Sequence, residues 1–244
     1  QANALCTQYV TRKVDAIVVN IFEPSQMAQC LAYSKAANIP VFFMGGTLAN
    51  GVSGAISTID SDPINNALVD YASKTKDLKV LALTYHPGAP CRIREEKFDA
   101  AVKKSGVSMR VDKHEITIPG QVTTALAATQ AWLNGHPADK NENLAIWACF
   151  TDPASGAIAA MKQAGRLGVP IYSWDLTKSA ADALKSGDLT ATVWVDAHGL
   201  AEQMIKQIKD VLAGGAPRQE DAAYVVVTHD NINGFFEQHP EALP

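Results

Sequence analysis

The sequence predicts an α/β protein of two doubly wound parallel-sheet lobes, and three observations predict it. The first is a pattern that occurs twice. Residues 16–46 read AIVVNIFEPSQMAQCLAYSKAANIPVFFMGG and residues 145–175 read AIWACFTDPASGAIAAMKQAGRLGVPIYSWD. Each copy opens on a short apolar run and passes an acid-Pro pair, Glu23-Pro24 or Asp152-Pro153. An Ala-rich stretch of helical length follows, and a second strand resumes at Ile39-Pro40-Val41 or Val169-Pro170-Ile171. Two βαβ units of one design imply two similar lobes, and a cleft between such lobes is where a small ligand binds. The second observation is that the strand candidates are mostly continuous apolar runs, as in strands buried on both faces. The third is that strand and helix alternate throughout.

In chain order, a helix over 3–13 leads into a strand at 16–20. A helix over 24–37 starts on Pro24, which suits the first helical position because its missing N–H has no intrahelical partner there. Strands follow at 41–44 and 55–58, then a helix at 64–74. From Val80 to Val195 five strands (80–83, 109–118, 145–149, 171–174, 191–195) alternate strictly with four helices (93–105, 122–134, 153–166, 178–186), a complete doubly wound lobe. Pro153 is expected at a first helical position like Pro24, with Asp152 as its N-cap, and Thr177 as the cap of the helix holding Ala180 and Ala181. A helix at 198–213 and a strand at 223–228 complete the chain's elements. The part before Val80 opens on a helix, whereas a lobe of this type begins with a strand that is normally central. The expectation is therefore that an N-terminal β-α-β of roughly 40–50 residues is lacking here.

Composition narrows the partners. The chain has 244 residues, 47% hydrophobic and 19% charged, with a formal net charge of −4. It contains no block of Lys or Arg, so nucleic acid or an anionic membrane is excluded as the main partner. No stretch approaches the roughly 18 apolar residues of a spanning helix. The four cysteines, Cys6, Cys30, Cys91 and Cys149, form no C-x-x-C, which leaves zinc and thioredoxin-type chemistry without support. Buried free thiols and disulfides both remain open at this point.

With VDAIVVN, NIPVFFMGG, CRIREEKF (residues 91–98), FTDPASGAIAAMKQAG and VPIYSWD in hand, the chain resembles the periplasmic sugar-binding proteins of ABC transporters. The ribose-binding group is the nearest type, and it shares its fold with the effector domains of LacI-like repressors. The resemblance runs from Ala2 to Phe236 and rests on the order and spacing of the five segments together. It implies the type I periplasmic binding protein fold: two lobes, three crossovers near Asp62, Asp196 and Thr228, and closure over a small polar ligand. The first lobe would be 1–61 plus 197–227, and the second 62–196 plus 228–244.

The resemblance also suggests residues for the ligand. Asn20, ending VDAIVVN, matches a position that hydrogen-bonds a ligand hydroxyl, although an Asx turn is the plainer alternative. Asp175, ending YSWD, matches the family's ligand-binding acid; a carboxylate accepts from two adjacent hydroxyls. A helix cap is its alternative. Trp174 either stacks on a sugar's C–H face or fills the core, and Trp194 is read as core. Arg92 and Arg94 are expected to open a helix against its dipole, which suggests work outside the helix. Arg94 matches a ligand-binding arginine, whose planar fork chelates hydroxyls or a carboxylate. Thr151 holds a ligand position often occupied by Asn. Gly45 and Gly46 stand where the sugar binders usually carry Asp-Arg. They leave backbone amides and space, favouring a bulkier or less hydroxylated ligand; a flexible turn is the alternative.

On this topology the helices 3–13 and 24–37 lie side by side, so Cys6 and Cys30 can approach. Cys91 follows the first strand of the second lobe and Cys149 ends its third, neighbours in a 2-1-3-4-5 sheet, and an oxidising periplasm would permit both pairs. The function implied is a solute-binding component of an ABC-type importer in the periplasm. It would be a monomer with no catalytic role and no cofactor or metal, taking a sugar or polyol in the interlobe cleft and docking on a membrane permease. The alternatives are the effector core of a LacI-like regulator and an enzyme on a doubly wound fold. No G-x-S-x-G, G-x-G-x-x-G or P-loop supports the enzyme, and His86 near Cys91 is its only Cys/His proximity.

Overall fold

The computed structural model describes residues 2–57 and 62–242. The far end of the 55–58 strand and the expected lobe boundary at 61 lie outside the described residues. The strands are β1 (Ile17–Asn20), β2 (Val41–Met44), β3 (Gly54–Ser57), β4 (Leu78–Thr84), β5 (Met109–Glu115), β6 (Leu144–Ala148), β7 (Ile171–Tyr172), β8 (Ala191–Val195), β9 (Gln219–Asp221) and β10 (Tyr224–Thr228). The helices are α1 (Ala2–Thr11), α2 (Ala28–Ala36), α3 (Asp62–Ser73), α4 (Ala89–Ser105), α5 (Gln121–Gly135), α6 (Thr151–Gln163), α7 (Lys178–Ser186), α8 (Ala197–Leu212) and α9 (Ile232–Gln238). The chain divides into two compact units: Gln1–Ile59 with Gly88–Pro90 and Val195–Ala223, and Asp60–Pro87 with Cys91–Trp194 and Tyr224–Pro244.

The first unit carries a parallel sheet in the order β1-β2-β3-β9. Its strand VFFM is apolar along its whole length because helices cover both faces. Val19, Phe43 and Ala55 pack with Cys6, Met27 and Cys30 of the α1–α2 layer. Phe42 and Ile56 point the other way, onto Met204 of α8. Cys6 and Cys30 form a disulfide with Cα atoms 5.5 Å apart, joining α1 to α2. Pro24 stands first in a 3₁₀ turn, Pro24–Met27, where Glu23 and Gln26 make a reciprocal capping box.

The second unit has the order β10-β8-β7-β6-β4-β5. Its first five strands thus follow 2-1-3-4-5, with β4 between β5 and β6 and the pairs β4–β5, β4–β6, β6–β7 and β7–β8 all parallel. Leu81, Leu83, Ile146, Ala157 and Leu184 belong to one core between sheet and helices. Trp194 packs on Phe235 and His239, the core reading of that residue. Thr177 caps α7 by accepting from the Ala180 amide at 3.2 Å. At Gly156 the backbone of α6 comes so close to α5 that a Cβ would collide with the Val122 carbonyl and stand 3.0 Å from Ala125 Cβ. Small residues permit that approach, and the Ala-rich composition of both helices supplies them.

Some expectations change. α6 begins at Thr151, two residues early, with Phe150 as an N-cap that offers no side-chain bond. Pro153 is therefore third in the helix, still within the turn whose amides need no partner. Asp152 is not a cap, since its carboxylate accepts from Gln121 Nε2 at 2.8 Å and ties α6 to α5. α4 begins at Ala89, so Arg92 and Arg94 do not open a helix. Arg94 lies beyond the first turn, where the dipole argument has faded. The strand at 171–174 is regular only over Ile171–Tyr172, although Ser173 still donates to the Ala191 carbonyl at 3.1 Å.

Candidate functional site

Four of the residues marked by the sequence meet in the second unit, at the carboxyl ends of β6 and β7. Ligands of open parallel sheets bind at such ends. Arg94 reaches them from α4. Its Nη1 donates to the Cys149 carbonyl at 2.6 Å, and its Nη2 stands 3.4 Å from Asp175 Oδ1. The guanidinium carbon lies 5.2 Å from the Trp174 ring centroid, within cation–π range. Arg94 Nε is buried with no hydrogen-bond partner among the described residues. Burial pushes the guanidinium below its ordinary range and Asp175 partly offsets this. The Asp175 side chain itself is half exposed, at 53%. A buried cation thus sits beside a carboxylate that faces outward.

The chain at Asp175 is in an uncommon conformation, with φ +71°, in the left-handed region. Thr151 holds it there: its hydroxyl contacts the carbonyls of both Trp174, at 2.7 Å, and Asp175. The Thr151 hydroxyl proton is thereby committed to the backbone. Trp174 is 1% exposed and packs edge-on against Trp147, which stacks on Phe98. Cys91 and Cys149 form a disulfide with Cα atoms 5.2 Å apart, binding the start of α4 to the end of β6. Its sulfurs leave no thiol for a Cys91/His86 nucleophile pair, the only such proximity in the sequence. His86 instead lies between Glu95 and Glu115, at 3.1 and 3.2 Å, and its hydrogen bond holds the Glu115 carboxyl below the usual range.

Arg92 stands apart from this group and donates to the His86 carbonyl at 2.6 Å. Asn20, Gly45 and Gly46 belong to the first unit. Asn20 ends β1 with its side chain exposed. Gly45 has φ +78° and donates its amide to Ile56 at 2.8 Å, closing the sheet. A Cβ at Gly46 would lie 3.0 Å from the Phe22 carbonyl and 3.1 Å from Phe43 Cβ. The space expected at the glycine pair is therefore filled by the protein itself, and the Gly45 amide is already used. Two further residues, Asn65 and Trp147, touch the group. No motif marks either one: Asn65 lies in a plain amphipathic helix and Trp147 in an apolar strand.

The profile of the family described as "Periplasmic binding protein domain" matches residues 1–216. The chain belongs to that family. Among relatives of this periplasmic binding protein domain is the xylitol-binding protein of Mycolicibacterium smegmatis, 37% identical over 89 residues. That match covers 34% of this chain and 24% of the relative, so the chain is matched to about a quarter of that protein's length. The D-galactose/methyl-galactoside binding periplasmic protein MglB of Haemophilus influenzae is 24% identical, over 93% of this chain and 76% of that one. A solved ABC transporter solute-binding protein from Agrobacterium vitis with bound allitol superposes with a TM-score of 0.86 at 20% identity. It covers 97% of this chain and 83% of the other, and at that identity the likeness shows the fold. These relatives of the periplasmic binding protein domain are solute-binding proteins, not enzymes. Among the described residues no helix is long and apolar enough to cross a membrane.

Proposed function

We propose that this chain is the solute-binding component of an ABC-type importer, taking a small polyol or monosaccharide in the periplasm and presenting it to a membrane permease. The observation that carries the reading is the Arg94–Asp175 pair. Arg94 is anchored by Nη1 on a backbone carbonyl, while its Nη2 is only loosely engaged at 3.4 Å by a half-exposed carboxylate. Two adjacent hydroxyls suit such a pair: one donates to the carboxylate, and the other accepts from the guanidinium. Xylitol, galactose and allitol, named with the relatives above, all carry runs of adjacent hydroxyls. Asn20 of the first unit is proposed as a further hydroxyl partner, and Arg92, Thr151, Trp174, Gly45 and Gly46 as residues that shape or support the site. Trp174 would act from beneath Arg94 rather than as an open stacking face, since it is buried. Two disulfides in one chain agree with an oxidising, extracytoplasmic compartment.

Titration calorimetry with xylitol, D-galactose and allitol tests the reading. At least one is expected to bind the unaltered chain and to lose affinity in Arg94→Ala and Asp175→Asn. Heat from none of the three, or binding indifferent to both substitutions, would overturn it.

A further inference from the structure

We propose that Asn65 is a positioning residue for Arg94, its carboxamide clamping α4 to β6 so that the guanidinium meets the Cys149 carbonyl and Asp175. The proposal rests on the reading of Arg94 and Asp175 as ligand-binding residues. Asn65 is 1% exposed and lies on α3. Its Nδ2 donates to the backbone carbonyl of Arg94 at 3.1 Å, and its Oδ1 accepts from Trp147 Nε1 at 2.9 Å. A carbonyl only accepts and an indole N–H only donates, so the amide has one workable orientation. Trp147 lies on β6 two residues before Cys149. One side chain therefore joins the backbone of the residue that supplies the guanidinium to the strand that supplies its anchoring carbonyl.

A second route leads from Asn65 to the same group. Fixing the Trp147 indole fixes the ring against which Trp174 packs edge-on, with centroids 5.3 Å apart, and Trp174 lies under the Arg94 guanidinium. The Cys91–Cys149 disulfide joins α4 and β6 covalently, three residues before Arg94. The Asn65 amide joins the same elements at Arg94 itself. Few side chains can replace it. Leu has a similar size but leaves the buried indole N–H without its acceptor, and Asp would set a carboxylate against the Arg94 carbonyl. A buried asparagine that served helix packing alone would not need to bond both elements carrying the Arg94 contact.

The test uses the whole chain, with xylitol, D-galactose and allitol as probes and side-chain NMR of Arg94 without ligand. In Asn65→Leu the Arg94 guanidinium protons are expected to exchange faster. The Kd of a bound probe should rise roughly tenfold, as for one lost hydrogen bond. In an Arg94→Ala background the same change should leave Kd within about twofold, because the coupling has lost its second member. If Asn65→Leu does not fold, Asn65→Ala, with room for a water beside the indole, is read the same way. Unchanged Arg94 signals, or an equal loss of affinity with and without Arg94, overturns the proposal. Altered Arg94 signals support it, and if Arg94→Ala then leaves probe binding unchanged, the site reading fails while the positioning stands.

Discussion

Arg94 and Cys149 are joined twice. The Arg94 Nη1 donates to the Cys149 carbonyl at 2.6 Å, and the Cys149 sulfur is bonded to Cys91, one turn ahead of Arg94 in α4. The disulfide shortens the path along which the guanidinium can wander. A long flexible cation is thereby ordered without a dense set of ion pairs, and only its Nη2 contact to Asp175, at 3.4 Å, is loose.

Both disulfides should prove structural. Loop-closure entropy gives about 3.5 kcal/mol for Cys6–Cys30 and about 4 kcal/mol for Cys91–Cys149 in the chain-entropy model. Cys91→Ala/Cys149→Ala is expected to lose about that much stability in a urea titration. A thiol reagent should find no free thiol in the unreduced, denatured chain.

Asp175 should trade stability for binding. Its left-handed backbone costs a non-glycine residue roughly 1 kcal/mol. Asp175→Gly is expected to raise the urea midpoint while sharply lowering affinity for any polyol that binds the unaltered chain. A midpoint that falls would mean the carboxylate's own contacts outweigh the strain.

Gly156→Ala should destabilise by about 1–3 kcal/mol, the usual penalty of overpacking. The favourable helix propensity of alanine is worth less than that. The new methyl would meet the backbone of α5 at Val122, which cannot rotate away. Denaturant titration of the variant checks the sign.

Tyr172 should ionise late. Burial foremost, with Tyr71 and Asp70 nearby, pushes its phenol up to about 12. A folded-state value raised above the unfolded one gives stability that is full below the ordinary tyrosine range and is lost as pH rises through about 12. Ultraviolet titration of tyrosinate should show that late step, and Tyr172→Phe should remove it and flatten the alkaline fall in stability.

Much of this architecture was legible because apolar runs and breakers report burial directly. The strands at 41–44 and 191–195 and the helix at 178–186 have the expected bounds, and Thr177 caps as its type and place suggest. β9 was not legible. Its Gln-Glu-Asp sequence has no strand pattern and is held by pairing with β3 and by Arg218, which bridges Asp210 and Glu220. The start of α4 was hidden by YHPGAPC, which reads as loop although Pro90 sits in the first turn, where its missing N–H is harmless. α9 contains Gly234 and spans too few residues for periodicity to show. Arg94 and Asp175 could be marked from a resemblance. Asn65 could not, because its importance lies in two partners distant in sequence, Arg94 and Trp147.

The pairing of β3 with β9 has a kinetic consequence. Leu48 and Gln219 are hydrogen-bonded across 171 residues of chain, and the strand that pairs with β3 in the first unit's sheet comes from that distant segment. Its Phe42 and Ile56 face α8, which also comes late. The second unit has β4 to β8 in one continuous run. Contacts of long sequence separation form slowly because loop closure precedes their reward. The second unit should therefore be the earlier to gather, while at the beginning of the chain the side of the sheet that holds Phe42 and Ile56 waits for residues made near the other end.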